Sequence, residues 1–158
     1  MYDILFRIET SVLGQLMRDS VWLFPMAEIL HFMGLSLLIG SLLVVDFRLL
    51  GFYRNFPVAA VYRFLPLALA GFSINLVTGT LFFFSDPFRY YPNIAFRLKI
   101  LFIILAGLNA LYFALTVHRK AAQSGAGETG SAIKTVSALS LIFWIGVIIL
   151  GRSIPYVE

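Results

Sequence analysis

An all-α integral membrane bundle of four spanning helices is the fold this sequence predicts, on three observations. Of its 158 residues, 60% are hydrophobic and 13% charged, against about half and about a quarter in soluble domains. The apolar residues gather in four runs, at about 21–45, 65–84, 96–117 and 132–150, each near the ~20 residues that cross ~30 Å of hydrocarbon. Trp22, Tyr53, Tyr62, Tyr90, Tyr91 and Tyr156 sit near run ends, as an interfacial aromatic belt requires. The whole chain, 1–158, reads as one membrane domain.

Residues 1–19 predict an amphipathic helix lying at the membrane surface. On a helical wheel Ile4, Leu5, Phe6, Ile8, Val12, Leu13, Leu16 and Met17 share one side, and Asp3, Arg7, Thr10, Ser11, Gly14 and Arg18 the other. Glu9 interrupts the apolar side. Residues 1–20 lack an apolar core followed by a small-residue cleavage site, so no cleavable signal peptide is expected.

The first span follows. Asp19 or Ser20 can cap it, and Pro25 falls in its first turns, where a missing N–H is tolerated. Asp86-Pro87 and Tyr91-Pro92 end the second span and shape a short loop. The stretch 121–131 is rich in Gly, Ala and Ser and reads as a linker.

The formal net charge of +4 does not predict nucleic-acid binding, because the basic residues stand at the ends of apolar runs. Positions there set orientation and contact lipid head groups. Arg48, Arg54, Arg63, Arg119, Lys120 and Lys134 fall in loops one and three; Arg7, Arg18, Arg89, Arg97, Lys99 and Arg152 fall on the other side. The counts tie. Setting Arg97 and Lys99 aside as candidate site residues places loops one and three inside a bacterial cytoplasmic membrane and both termini on the periplasmic side.

The absence of cysteine excludes disulfides, cysteine-ligated clusters, thiol catalysis and Cys-x-x-Cys-His attachment of haem. Glycine-rich phosphate loops, His-Glu-x-x-His and nucleophile elbows are also missing. No catalytic residue is predicted.

Polar groups inside a span are costly and are candidate functional residues. Glu28, His31, Asn75, Lys99 and Asn109 are the main ones. His31 lies near mid-membrane. Ala27 and Glu28 stand one turn before it, Gly34 and Leu35 one turn after. Gly34 is expected to leave room beside the imidazole. Ala68, Gly71, Asn75, Thr78 and Gly79 line one face of the second span, and Ser137, Ser140, Trp144, Ile148 and Arg152 one face of the fourth.

This set is consistent with a pocket for haem b. His31 would be the axial iron ligand, with Gly34, Asn75 and Trp144 lining the macrocycle. Arg97, Lys99 or Arg152 would pair with the propionates, with Arg97 and Arg152 favoured. The same residues have plainer readings. A lone intramembrane His also serves as a hydrogen-bond donor or proton relay. Glycines serve helix packing; Ser36 and Gly40, and Ala106, Ala110 and Ala114, read that way. Arg97 and Lys99 can snorkel to head groups, and Glu28 can pair with one of them. His118, among Arg119 and Lys120, falls at the opposite surface and is not expected to share an iron with His31. Met1, Met17, Met26 and Met33 are poorly placed as distal ligands.

The stretch AEILHFMGLSLLIGSLLVVDFRLLG (27–51) resembles a family of short bacterial four-helix membrane proteins known as short prokaryotic transmembrane cytochromes. So do LPLALAGFSINLVTGTLFFFSDP (65–87) and YPNIAFRLKILFIILAGLNALYF (91–113). The resemblance runs from Trp22 to Tyr156. It implies a haem-binding homo-oligomer, with a hexamer as one form, and places the family's first-helix His on His31. Electron transfer or redox and gas sensing is the activity it implies. Two other classes remain open: a homo-oligomeric transporter or channel subunit with His31, Glu28 and Asn75 along a polar pathway, and an accessory subunit of a larger assembly.

Overall fold

The computed structural model describes residues 2–53, 55–117 and 130–157. His118, Arg119, Lys120 and nearly all of the 121–131 linker lie outside the described residues. The elements, in order, are α1 (Tyr2–Glu9), α2 (Val12–Asp19), α3 (Leu23–Leu50), α4 (Val58–Val61), α5 (Leu65–Ser85), α6 (Pro87–Tyr90), α7 (Ile94–Tyr112) and α8 (Ser131–Ser153), with no strand among the described residues. Four helical stretches are long and apolar enough to cross a membrane: Leu23–Leu50, Ala59–Ser85, Ile94–Leu115 and Ser131–Tyr156. The predicted fold class holds. The second and fourth extend beyond the predicted runs at both ends; the first starts two residues later and ends five later, and the third is shifted two residues toward the N-terminus.

Residues 2–19 form two helices where one was expected. The chain breaks at Thr10–Ser11, where the Ser11 side chain caps α2 by accepting from Gly14 N at 3.2 Å. Glu9 finds its explanation here: Arg18 lies 3.8 Å from its carboxylate and also donates to the Glu9 carbonyl at 2.7 Å. Arg18 further donates to the Ser85 carbonyl at 3.0 Å, tying α2 to the end of α5. Met17 is 1% exposed beneath this tie.

Local chemistry sets the other boundaries. Ser20 Oγ accepts from Leu23 N at 3.2 Å at the start of α3. Gly51 closes α3 in the left-handed region, φ 106°, and Phe52 N returns to the Phe47 carbonyl at 3.0 Å. Asp86 caps α6 through Arg89 N at 3.1 Å. Asn93 caps α7 through Phe96 N at 3.1 Å, and its amide donates to the carbonyls of Ile154 and Val157. One 5%-exposed side chain thereby joins the start of α7 to the end of α8.

In packing order the helices run α5, α3, α8, α7: α3 packs against α5 and α8, and α7 against α8. The closest crossing is α3 on α5. A Cβ on Gly71 would stand 2.5 Å from the Gly34 carbonyl and 2.6 Å from Leu38 N. Spanning helices approach closely at small residues because lipid offers no hydrophobic drive for association. At the other seam α5 and α7 meet through Phe83 stacked on Phe96, centroids 5.7 Å apart. Val45, Leu49, Val61, Ile133 and Val136 form a compact apolar cluster at the end bearing loops one and three, the loop end. The opposite end, bearing α1, α2 and residues 154–157, is the terminal end. Only 6% of the most apolar stretch of α7 is buried within the chain, which leaves most of its surface for lipid or other subunits.

Candidate functional site

His31 sits 31 − 23 = 8 residues into α3, about 12 Å along the axis from its start. The Gly34–Gly71 crossing turns this face of α3 toward α5. Thr78, buried on α5, faces His31, with Nδ1 2.7 Å from Thr78 Oγ1. The Thr78 hydroxyl has a single proton, and it donates to the Ile74 carbonyl at 2.8 Å. Oγ1 therefore accepts from Nδ1–H. In the neutral imidazole this places the proton on Nδ1 and leaves the lone pair on Nε2, the form in which His binds metals. A hydrogen bond on the other ring nitrogen orients a metal-ligating His and raises its basicity.

Asn75 braces the same point of α3. With its amide oriented to satisfy both atoms, it donates to the His31 carbonyl at 2.6 Å and accepts from Leu35 N at 3.0 Å. Those two groups are partners in the ordinary helical ladder, so the amide clamps one hydrogen-bonded turn from outside. Phe82 packs against the imidazole with ring centroids 5.3 Å apart.

The glycine bordering the imidazole is Gly79, not Gly34. A Cβ on Gly79 would come 3.8 Å from His31 Cε1. The room expected at Gly34 is filled, because a Cβ there would meet Ile74 at 2.9 Å and the Asn75 amide and Gly71 carbonyl at 3.0 Å. Helix packing consumes Gly34, and Asn75 is engaged with backbone. Trp144 stands edge-on to Phe72, centroids 6.0 Å apart, in the seam between α5 and α8.

The cations divide differently from expectation. Lys99 is half-buried and lies along α8, where a Cβ on Gly151 would be 3.2 Å from Nζ. Arg97 is exposed, and the exposed Arg152 lies over the Tyr156 ring at 5.6 Å and donates to its hydroxyl at 3.3 Å. Of the three, Lys99 is the inward-facing cation, while Arg97 and Arg152 stand at exposed positions. Gly151 on α8 leaves room for the lysine stem alongside it. Glu28 is exposed and makes no ion pair among the described residues. Asn109 donates to the Val136 carbonyl at 3.0 Å and so joins α7 to α8.

Two positions carry more than their sequence showed. Thr78 was visible only as a member of a small-residue face, yet it sets the tautomer of His31. Asp46 lies one residue beyond the predicted end of the first run and is 5% exposed. Its signal was the spacing Leu38, Ser41, Val45, Leu49, which carries the buried stripe of α3 past that end.

Among the described residues no three His, Cys, Asp or Glu side chains come together as a metal-binding group. A bare ion would have one protein ligand at His31 and would not be retained. Comparison with protein-family models, with curated proteins and with solved structures finds no match.

Proposed function

We propose that this chain is a transmembrane b-type haem protein in which His31 Nε2 is the axial iron ligand. The observation that carries the reading is the Thr78 hydrogen bond, which leaves one imidazole nitrogen free within a membrane-spanning bundle. One nitrogen donor suits a metal that brings four more donors in its own macrocycle. Bound haem supplies reversible one-electron iron chemistry, the basis for electron transfer or for redox and gas sensing. Thr78 holds the Nδ1 proton, Asn75 fixes the backbone beneath the ligand, Gly79 keeps one side of the ring clear, and Lys99 offers a charge for a propionate. The resemblance to short prokaryotic transmembrane cytochromes supports the same reading.

A polar conduction pathway fits less well. Of its three proposed groups, Glu28 is exposed and Asn75 is tied to main chain.

The assembly we propose is a homo-oligomer, with a hexamer as the form the resemblance suggests, in a bacterial cytoplasmic membrane with both termini periplasmic. Ser36, Gly40 and Ala110 face outward, and a Cβ on Gly40 would meet nothing within 4 Å in its own chain. Such small residues permit close approach of another subunit. The paired helices α1 and α2 lie along the terminal surface in this reading, with Tyr2, Ile4, Phe6, Val12, Leu13 and Leu16 exposed to lipid.

The test is the absorption spectrum of protein purified from cells given no added haem. A Soret band, with haem b recovered by pyridine extraction, is the expected result. A colourless protein at full expression, which also fails to take up added haem, would contradict the assignment.

A further inference from the structure

A second polar cluster lies at the loop end of the bundle and plays no part in the His31 site. Asp46 is 46 − 31 = 15 residues beyond His31, about 22 Å along α3 and on roughly the same side. It is 5% exposed; Ser137 and Ser140 on the facing helix α8 are 1% and 8% exposed. Ser140 stands beside the Asp46 carboxyl. Asp46 Oδ2 and Ser137 Oγ have no hydrogen-bond partner.

Among the described residues none supplies a counter-charge. Arg48 is half-buried and donates to the Phe56 carbonyl at 2.7 Å; Arg63 and Lys134 are exposed; Tyr62 packs against the apolar cluster beside Val45 and Leu49. None of the described basic groups forms an ion pair with Asp46. A carboxylate withdrawn from water without a partner is strongly disfavoured. Its place near the C-terminal end of α3 makes a negative charge less favourable still. Something small and positive must complete this cluster.

We propose that Asp46, Ser137 and Ser140 form a binding site for a small cation, H⁺ or Na⁺, that enters from the loop end. Both ions do the same chemistry here, neutralising the carboxylate through the unpaired Oδ2. A proton on Oδ2 creates a donor for a neighbouring hydroxyl. A sodium ion takes Oδ2 and the two serine oxygens as hard ligands. The inference does not depend on haem binding.

Infrared spectroscopy of the full chain in lipid nanodiscs tests it, comparing sodium and choline buffers at neutral pH. A protonated-carboxyl absorption present in both salts and lost in Asp46→Asn supports the proton. An absorption that appears in choline and fades as sodium is added supports sodium. Absence of any Asp46-dependent carboxyl absorption in either salt, with no sodium-dependent change in the carboxylate bands, overturns the proposal. Ser137→Ala keeps the carboxyl and provides a second reading should Asp46→Asn fold poorly. It should move the carboxyl band or weaken the sodium midpoint at least fivefold; an unchanged band and midpoint would remove Ser137 from the site and overturn the cluster as stated.

Discussion

The two ends of α3 hold polar groups in opposite ways. At the terminal end His31 is half-buried, and each polar contact around it is answered: Nδ1 by Thr78, the carbonyl by Asn75. At the loop end Asp46 and Ser137 are nearly sealed, and each keeps an unanswered oxygen. The first region is a finished protein structure with one nitrogen to spare. The second is finished only when a cation joins it. A polar residue inside a span thus marks function in two ways, by a pre-set lone pair or by an unmet charge, and only the hydrogen-bond inventory separates them.

The comparison breaks most severely if the α3–α5 crossing is forced apart. Gly71→Leu drives a side chain into the Gly34 backbone and should displace His31 from Thr78. Overpacking costs about 1–3 kcal/mol or more, which corresponds to a fall in Tm of roughly 2–12 °C for a chain of this size. Gly107→Leu, at a position with nothing within 4 Å, should leave the thermal transition in place. Thermal unfolding in one detergent, followed by circular dichroism, makes the measurement.

Next in size is the hydroxyl that sets the tautomer. Thr78→Val keeps the shape and removes the acceptor for Nδ1–H. Haem affinity should fall about 10–100-fold, the range for loss of a hydrogen-bond partner to a metal-ligating His, while Thr78→Ser should recover most of it. Transfer of haem to an apoprotein scavenger reads both variants. Equal transfer from Thr78→Val and wild type would mean that the hydroxyl serves α5 alone.

Lys99 sharpens the terminal end further. Lys99→Met should speed haem loss by about tenfold, equivalent to about 1.4 kcal/mol and within the range for a charged hydrogen bond. Arg97→Gln and Arg152→Gln, both at exposed positions, should change it less than twofold. If the arginine variants lose haem faster than Lys99→Met, the inward-facing lysine is not the propionate partner.

The spans were legible because composition alone specifies them: a run of some twenty apolar residues has no other solvent to choose. The packed face of α5 was also legible, since Ala68, Gly71 and Thr78 recur at helical spacing and are buried as expected. What each small residue does was not. Gly34 on α3 and Gly79 on α5 both read as small residues on a helix face, and only the crossing point of the two helices makes one a packing contact and the other a border of the imidazole. Lys99 and Arg97 stand two residues apart at the start of α7 and so face opposite sides of it, but which side meets α8 was not in the sequence. Asp46 was passed over because a carboxylate at the end of an apolar run ordinarily faces water; here the loop-end cluster closes over it.

The central claim is that the free Nε2 of His31 binds haem iron. The most direct measurement is the haem-to-protein ratio of His31→Ala beside wild type, taken with Soret absorption and far-UV circular dichroism on the same samples. The account expects the ratio to fall at least tenfold in His31→Ala while helical ellipticity is unchanged. A ratio and Soret band equal to wild type would place the iron ligand elsewhere and contradict it.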